Sequence, residues 1–196
     1  KKSPPAAKPP GRPRDADAER RILEVALRLL AEEGYSRMSL DSVAQEAGVS
    51  KPTIYRRWAS KADLATAALR TVQLSEPPVK GSSTKAQLNG TLENFSRSLL
   101  RPNGMSLIGT VLAEEAHTPE LLALFRERLV TPRRRMLREI LEAAQARGEL
   151  RRGVDLDAAV TMMVGGFYAR YLASSTVPEG FARELVSIVW NGIKGS

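Results

Sequence analysis

LDSVAQEAGVSKPTIYRRW, residues 40–58, contains two short helical patterns separated by a glycine turn. The apolar residues of the first pattern share one helical face: Leu40, Val43, Ala44 and Ala47. Ser39 is a suitable N-cap before it, and Gly48 follows where a helix must turn left-handed. Ser50 can cap the second helix, and Pro52 fits its first turn. The lengths and the turn together predict a helix-turn-helix.

The second helix of this pair is predicted to carry a polar, basic outer face. Ile54 and Trp58 lie one turn apart and should point inward, which leaves Thr53, Arg56 and Arg57 outside. Arginine can bond a guanine edge with two parallel hydrogen bonds, and threonine can contact a base or a thymine methyl group. An ordinary helical hairpin with solvated arginines is the alternative interpretation of the same pattern.

Two further residues could contact phosphates beside that face. Tyr55 carries a hydroxyl on a rigid ring, and Lys61 opens the next helix, where backbone N–H groups also favour an anion. Phosphate contacts of this kind position a protein on DNA without reading its sequence.

The N-terminal arm, residues 1–14, is rich in proline and basic residues and contains no acidic residue. It holds much of the excess in a formal net charge of +8, and its composition predicts disorder. PGRPR, residues 10–14, is similar to the core of an AT-hook, in which Arg12 and Arg14 would enter an A·T minor groove. A basic tail that adds only non-specific affinity for DNA is the alternative.

The rest of the chain shows helical rather than alternating periodicity, so we predict an all-α fold of about nine helices. The predicted domains are a three-helix helix-turn-helix domain over residues 15–60 and a larger helical domain over residues 61–196. Glu76 to Ser83 is a predicted linker, Pro132 a predicted kink, and the last helix should start at Pro178.

Composition argues against catalysis and against bound metals or cofactors. The chain has no cysteine and one histidine, which rules out disulfides, thiolate metal sites and Cys/His dyads. It also lacks a P-loop, an HExxH motif and a dinucleotide glycine motif. Neither a secretory signal nor a membrane-spanning segment is evident, so we expect a cytoplasmic protein without membrane contact.

Residues 20–69 resemble the DNA-binding domain of the TetR family of transcriptional regulators. The matching elements agree in order and spacing: Ala26, Gly34, Tyr35, Ser39, Val43, Ala44, residues 47–50, residues 53–55 and residues 61–64. One difference is Arg56-Arg57-Trp58, where many members have a histidine and a phenylalanine. The resemblance therefore identifies the class and leaves the operator sequence open.

The resemblance implies roles for individual residues in binding double-stranded DNA. Ser39 would cap the second helix and touch phosphate, and Lys61 would hold the DNA backbone. The residues that would face DNA are Lys51, Thr53, Tyr55 and Arg56.

The resemblance also implies that the C-terminal half forms a homodimer through its last two helices. There, Gly165-Gly166 and neighbouring small residues would let helices approach closely, or would loosen the helix beside a ligand. Mixed aromatic and methionine residues favour an apolar ligand site. The candidate lining residues are Phe95, Met105, Leu112, His117, Phe125, Phe167, Tyr168 and Tyr171. For each of these, a plain core position is the alternative, and for His117 a solvated or capping position.

The sequence thus predicts a ligand-responsive regulator, a repressor by the family's usual behaviour, that binds a palindromic operator as a dimer. A small apolar or amphipathic effector would release it by favouring a conformation with altered spacing of the recognition helices. The alternative is a helical interaction protein whose helix-turn-helix no longer binds DNA. Effector, operator, regulated genes and the sign of regulation are left open.

Overall fold

The computed structural model describes residues 16–71, 79, 81–100 and 102–195, and these form an all-α structure. The helices are α1 (Ala16–Glu32), α2 (Leu40–Glu46), α3 (Lys51–Tyr55), α4 (Lys61–Thr71), α5 (Thr84–Leu100), α6 (Gly104–Ala113), α7 (Pro119–Phe125), α8 (Thr131–Ala146), α9 (Leu156–Ser174) and α10 (Phe181–Ile193). Within the described ranges, an isolated antiparallel bridge between Leu150 and Lys194 is the one β-type pairing. The arm with Arg12 and Arg14 lies outside the described residues, as do residues 76–78 and 80 of the predicted linker.

The first core is built by α1 to α4 and is completed by α6 and α7. Ile22, Leu29, Ile54 and Leu64 are fully or almost fully buried in it. α1 packs against α4 and α6, and α4 packs against α7. The domain boundary at residue 60 stays a prediction, and α4, which follows it, packs with α1.

Local backbone and side-chain hydrogen bonds, at residues that the sequence pattern indicates, shape the helix-turn-helix. Ser39 and Ser42 form a reciprocal capping box at the start of α2. Gly48, at φ +66°, ends α2, and the Gly48 and Val49 N–H groups bond back to the Gln45 and Ala44 carbonyls. These two hydrogen bonds form a Schellman motif, which needs a left-handed residue and therefore favours glycine.

The second core is formed by α5, α8, α9 and α10. Leu92, Leu141, Val160, Phe167 and Val186 are completely buried in it. Because α9 and α10 pack together and α10 packs along α5, the C-terminal half forms a helical bundle of its own.

The long helix that begins at Pro119 is interrupted where the sequence predicted a kink. Residues Arg126–Val130 form a π-helical turn that joins α7 to α8, and Pro132 lies in the first turn of α8. Proline has no N–H and its ring crowds the carbonyl of the preceding turn, so the helix widens just before it.

The start of the last helix differs from our prediction. α10 begins at Phe181 rather than at Pro178, because Gly180 adopts a left-handed conformation, φ +81°, at the N-cap position. Of the described helices, none has the length and apolarity needed to span a bilayer.

Candidate nucleic-acid interface and effector pocket

The outer face of α3 is positioned by two inward side chains. Ile54 is fully buried and Trp58 is nearly so, as predicted. This anchoring turns Lys51, Tyr55 and Arg56 to the surface, with Thr53 partly exposed between them. The result is a short exposed surface of basic and hydroxyl groups, the kind of chemistry that base edges and phosphates require.

Arg57 is less exposed than its neighbour Arg56, and its predicted contact with DNA stays a prediction. Its side chain is half-buried, and its Nη1 atom is shielded from solvent. α3 ends at Tyr55, and the backbone N–H of Arg57 donates to the Ile54 carbonyl in a tight turn.

Ser50 also differs from the prediction. It occupies the N-cap position of α3, but its side chain makes no capping hydrogen bond. Its hydroxyl instead lies 2.8 Å from the Thr53 hydroxyl. The two hydroxyls orient each other on the exposed side of the helix.

Asp41 is a residue of this surface that the sequence analysis missed. Its carboxylate accepts a hydrogen bond from Lys51 Nζ at 2.6 Å and another from the Tyr55 hydroxyl at 3.3 Å. The bond from Lys51 lowers the pKa of Asp41, and the same bond raises the pKa of Lys51. Asp41 lies on α2, so only the crossing of α2 and α3 brings these groups together.

Lys61 is held by contacts within the chain. Its Nζ donates to the Tyr35 carbonyl at 2.8 Å and to the Ser36 carbonyl at 3.3 Å, and it lies 4.3 Å from the centre of the Tyr35 ring. An ammonium group has three N–H donors, so one is left for a phosphate. The predicted DNA contact and this structural role are compatible.

A cavity of about 610 Å³ lies between α6, the α7–α8 helix and α9. Five of the predicted lining residues border it: Met105, Leu112, Phe125, Tyr168 and Tyr171. The other lining residues are Ile108, Gly109, Leu122, Arg126, Val130, Arg134, Thr161, Val164, Gly165 and Leu172. Its walls are mostly apolar and its size suits a small organic molecule.

Three predicted lining residues lie elsewhere. Phe95 and Phe167 are buried in the second core, where their rings pack edge to face with centroids 5.4 Å apart. His117 is exposed in the turn after α6, where its backbone N–H donates to the Glu114 carbonyl. The alternative interpretation, plain core for the two phenylalanines and a solvated position for the histidine, describes them correctly.

The polar groups of the cavity were not predicted. Arg126, Arg134 and Thr161 supply them, from the π turn, α8 and α9. Thr161 could have been found from sequence, because it shares one helical face with Gly165, Tyr168 and Leu172. The two arginines carry no such signal, since arginines on a helix are usually solvated.

The cavity lies where the two cores meet. Leu122 and Phe125 belong to the core of the N-terminal helices and also line the cavity. Ile108 of α6 packs against both cores. The described part of the chain therefore combines a helix-turn-helix with a cavity that touches the core of the helix-turn-helix domain. This combination defines a helix-turn-helix transcriptional regulator.

Comparison with known proteins identifies the family. The model for bacterial regulatory proteins of the tetR family matches residues 22–68, and the model for the tetracyclin repressor-like C-terminal domain matches residues 78–189. The chain belongs to the TetR family of transcriptional regulators, which are not enzymes.

Individual relatives agree over the whole chain and over the DNA-binding part. The HTH-type transcriptional regulator YdeS of Bacillus subtilis is 30% identical over 95% of this chain and 94% of its own length. The DNA-binding transcriptional repressor TetR of Mycobacteroides abscessus is 58% identical over 48 residues, 24% of this chain and 25% of that protein. A protein of Saccharomonospora viridis, crystallised in complex with choline, has a similar fold, with a TM-score of 0.72, 23% identity and coverage of 93% of this chain and 100% of that one.

Proposed function

We propose that this protein is a ligand-responsive repressor that binds a palindromic operator as a homodimer and is released by a small molecule. The observation that carries the proposal is the double role of α6. Met105, Ile108 and Leu112 on one side of α6 border the cavity, while Leu107 and Val111 on the other side are buried against the DNA-binding helices. A ligand that moves α6 must therefore disturb the packing of α1.

Two polar contacts also link α6, which borders the cavity, to the helix-turn-helix domain. The Ser36 hydroxyl, in the loop between α1 and α2, donates to Glu114 Oε1 at the end of α6 at 3.1 Å. At the other end of α6, the Asn103 side-chain amide donates to Glu32 of α1 at 2.9 Å. Both ends of α6 are thus tied to the helix-turn-helix domain, which supports a concerted response of the two domains.

Exposed apolar residues on α9 and α10 support the dimer. Met162, Leu172 and Ile188 expose 54%, 82% and 64% of their surface in a single chain. A second copy that packs the same two helices against them would form a four-helix interface and remove these side chains from water. A two-fold dimer then presents two α3 helices to one face of DNA, with half-sites about 34 Å apart or a multiple of that distance.

The proposed function also implies a location, because a repressor works where its operator is. In a bacterial cell this is the cytoplasm. Repression, rather than activation, is supported by the strong similarity of the DNA-binding part to the repressor of Mycobacteroides abscessus.

The test of DNA binding is selection of duplexes from a random pool with the purified full chain, followed by sequencing. We expect an enriched inverted repeat, and we expect Arg56→Ala to lose the enrichment while its circular dichroism spectrum stays unchanged. Arg152→Ala is a matched control, because it removes the same charge from an exposed position far along the chain. Lack of enrichment by the wild-type protein at low salt would favour an interaction protein and overturn the proposal.

The dimer is tested separately by analytical ultracentrifugation. We expect a mass of two chains for the wild type and a larger fraction of single chains for Ile188→Glu, because a carboxylate cannot be buried in an apolar interface without a large desolvation cost. A wild-type protein that sediments as a single chain at micromolar concentration would contradict the dimeric half of the proposal.

A further inference from the structure

We propose that the effector is an amphipathic anion, with an apolar body and one acidic head group such as a carboxylate, and that Arg134 with Thr161 binds the head group. This inference rests on the proposed function, because it assigns the chemistry of the molecule that occupies the regulatory cavity. It is carried by the charge and placement of the lining side chains.

The cavity lining combines two basic side chains with mostly apolar walls. Arg126 and Arg134 are both lining residues, and no aspartate or glutamate is found among the described residues that line the cavity. Apart from Thr161 and two glycines, the other lining residues are methionine, leucine, isoleucine, valine, phenylalanine and tyrosine. Such a cavity favours a molecule that pairs an apolar body with a negative charge.

Arg134 has a guanidinium group that the protein neutralises poorly. Its Nη2 donates to the Thr161 hydroxyl at 3.0 Å, and the carboxylate that it approaches, Asp157 Oδ1, is 4.0 Å away. Asp157 is bonded more closely by Arg138, at 2.6 Å, and this bond is the main reason that the pKa of Asp157 is lowered. The charge of Asp157 is thus mostly used by Arg138, which leaves Arg134 able to bind a ligand carboxylate.

Thr161 completes the anchor from the neighbouring helix. Thr161 is a lining residue and its hydroxyl accepts from Arg134, so its own proton can be donated to a head group held by the arginine. A guanidinium and a hydroxyl converging from α8 and α9 form a two-point site for a carboxylate.

Arg126 adds positive charge on the side of the cavity formed by the π turn. Its Nη2 lies 3.5 Å from Glu115 Oε1, and both side chains are more than half exposed. Exposed pairs at this distance contribute little, so the pair can open when an anionic ligand enters. Arg126 therefore attracts the ligand, while Arg134 is the better-positioned partner.

The aromatic lining residues could instead suggest a cationic ligand, held by cation–π contacts like those that rings offer to ammonium groups. Phe125, Tyr168 and Tyr171 are placed around the cavity. Tyr168 supplies no negative charge, since burial raises its pKa above the ordinary value. Two arginines in the same lining disfavour a cation, which makes the sign of the ligand charge the decisive measurement.

The experiment is isothermal titration of the full-length protein with three ten-carbon probes below their micelle concentrations: decanoate, decanol and decyltrimethylammonium. We expect decanoate to bind roughly tenfold or more tightly than decanol, because hydrogen bonds from Arg134 and Thr161 to the charged carboxylate add to the binding free energy. We expect decyltrimethylammonium to bind more weakly than decanol.

Arg134→Met is the informative variant, with its fold checked by thermal melting. We expect it to lose the preference for decanoate over decanol while it keeps the affinity for decanol, because the methionine preserves the apolar wall. Arg128→Met is the matched control, since Arg128 is exposed on the π turn that precedes α8, is not a lining residue and pairs with Glu127. The control should keep the preference.

Equal binding of decanoate and decanol, tighter binding of the cation, binding of none of the three, or a preference that survives in Arg134→Met would each overturn the inference. An Arg134-dependent preference for decanoate, without any effect of decanoate on binding of the selected operator, would uphold the acid-binding site. That last outcome would count against the ligand response in the proposed function, so the two failures are distinguishable.

Discussion

The carboxylate of Asp41 on α2 and the ammonium group of Lys51 on α3 lie 2.6 Å apart on the surface that we propose faces DNA. Both side chains are about half exposed or more, and the Tyr55 hydroxyl joins the same carboxylate. We expect a negative charge in this position to compete with DNA phosphates for Lys51 and so to moderate the affinity for DNA. The hydrogen bonds of Asp41 also orient the Lys51 and Tyr55 side chains.

The first prediction concerns this competition. Asp41→Asn should raise affinity for DNA of any sequence about threefold to tenfold, because Lys51 becomes free to contact a phosphate. The slope of log affinity against log salt should steepen by up to about 0.9, the contribution of one phosphate contact. Fluorescence anisotropy with a labelled duplex over a range of salt concentrations measures both quantities.

Two variants separate the local effect from the change in net charge. Glu179→Gln removes one negative charge from an exposed position on the C-terminal side and should leave the slope unchanged. The double variant Asp41→Asn/Lys51→Ala should lose the gain. An equal gain in Glu179→Gln would show that overall charge, and not the release of Lys51, is responsible.

The second prediction distinguishes two adjacent arginines. Arg56 is exposed and Arg57 is half-buried, so Arg56→Ala should weaken binding of the selected operator by roughly tenfold or more, as loss of a base contact does. Arg57→Ala should weaken it much less and leave the preferred sequence unchanged. Competition binding against single-base operator variants measures both effects. A changed base preference in Arg57→Ala would contradict a position of the Arg57 side chain away from the bases.

The third prediction uses two adjacent glycines of α9. A Cβ added at Gly166 would lie 2.8 Å from Leu185 Cδ2 of α10, whereas one added at Gly165 would meet nothing within 4 Å. Alanine in a helix interior is favoured over glycine by about 1 kcal/mol. Gly165→Ala should therefore raise the melting temperature.

Gly166→Ala should gain less than Gly165→Ala, or lose stability, because Leu185 must move to admit the methyl group. Thermal unfolding followed by circular dichroism gives the order of the two variants. If Gly166→Ala were the more stable, the close approach of α9 and α10 at this point would be refuted.

The fourth prediction concerns pH. Glu149 accepts hydrogen bonds from the Thr84 hydroxyl and from Arg147, both at 2.6 Å, and the bond from Thr84 is the main reason that its pKa is lowered from the ordinary 4.5. A carboxyl whose pKa is lower in the folded state stabilises the fold above its unfolded pKa. This contribution is lost as the pH falls through the folded value.

Glu149→Gln should consequently melt at a lower temperature than the wild type at pH 7, and the difference should shrink as the pH falls below 4.5. Melting curves at several pH values for both proteins measure it. Glu139→Gln on the exposed face of α8 is a suitable control and should show no such convergence. A difference for Glu149→Gln that is constant over the whole pH range would exclude the ionised carboxylate as its source.

Most helices and the helix-turn-helix follow from local sequence patterns. Ser39 caps α2 as predicted, and Gly48 ends it with a positive φ. Trp58 and Ile54 point inward as their spacing indicated. These features depend on bonds and periodicities within a few residues, which is why a single chain without its tertiary structure already specifies them.

Only the tertiary structure decided which neighbour covers each apolar face and which charges meet. Helical periodicity marks Phe95 and Phe167 as apolar in the same way as Tyr168, but the packing of α5 on α9 places the first two in the core. The pairing of Asp41 with Lys51 requires α2 and α3 to cross, and the pairing of Arg134 with Thr161 requires α8 and α9 to pack together. Such contacts depend on how faces are combined in space, and the pattern along a helix contains no information about its partner.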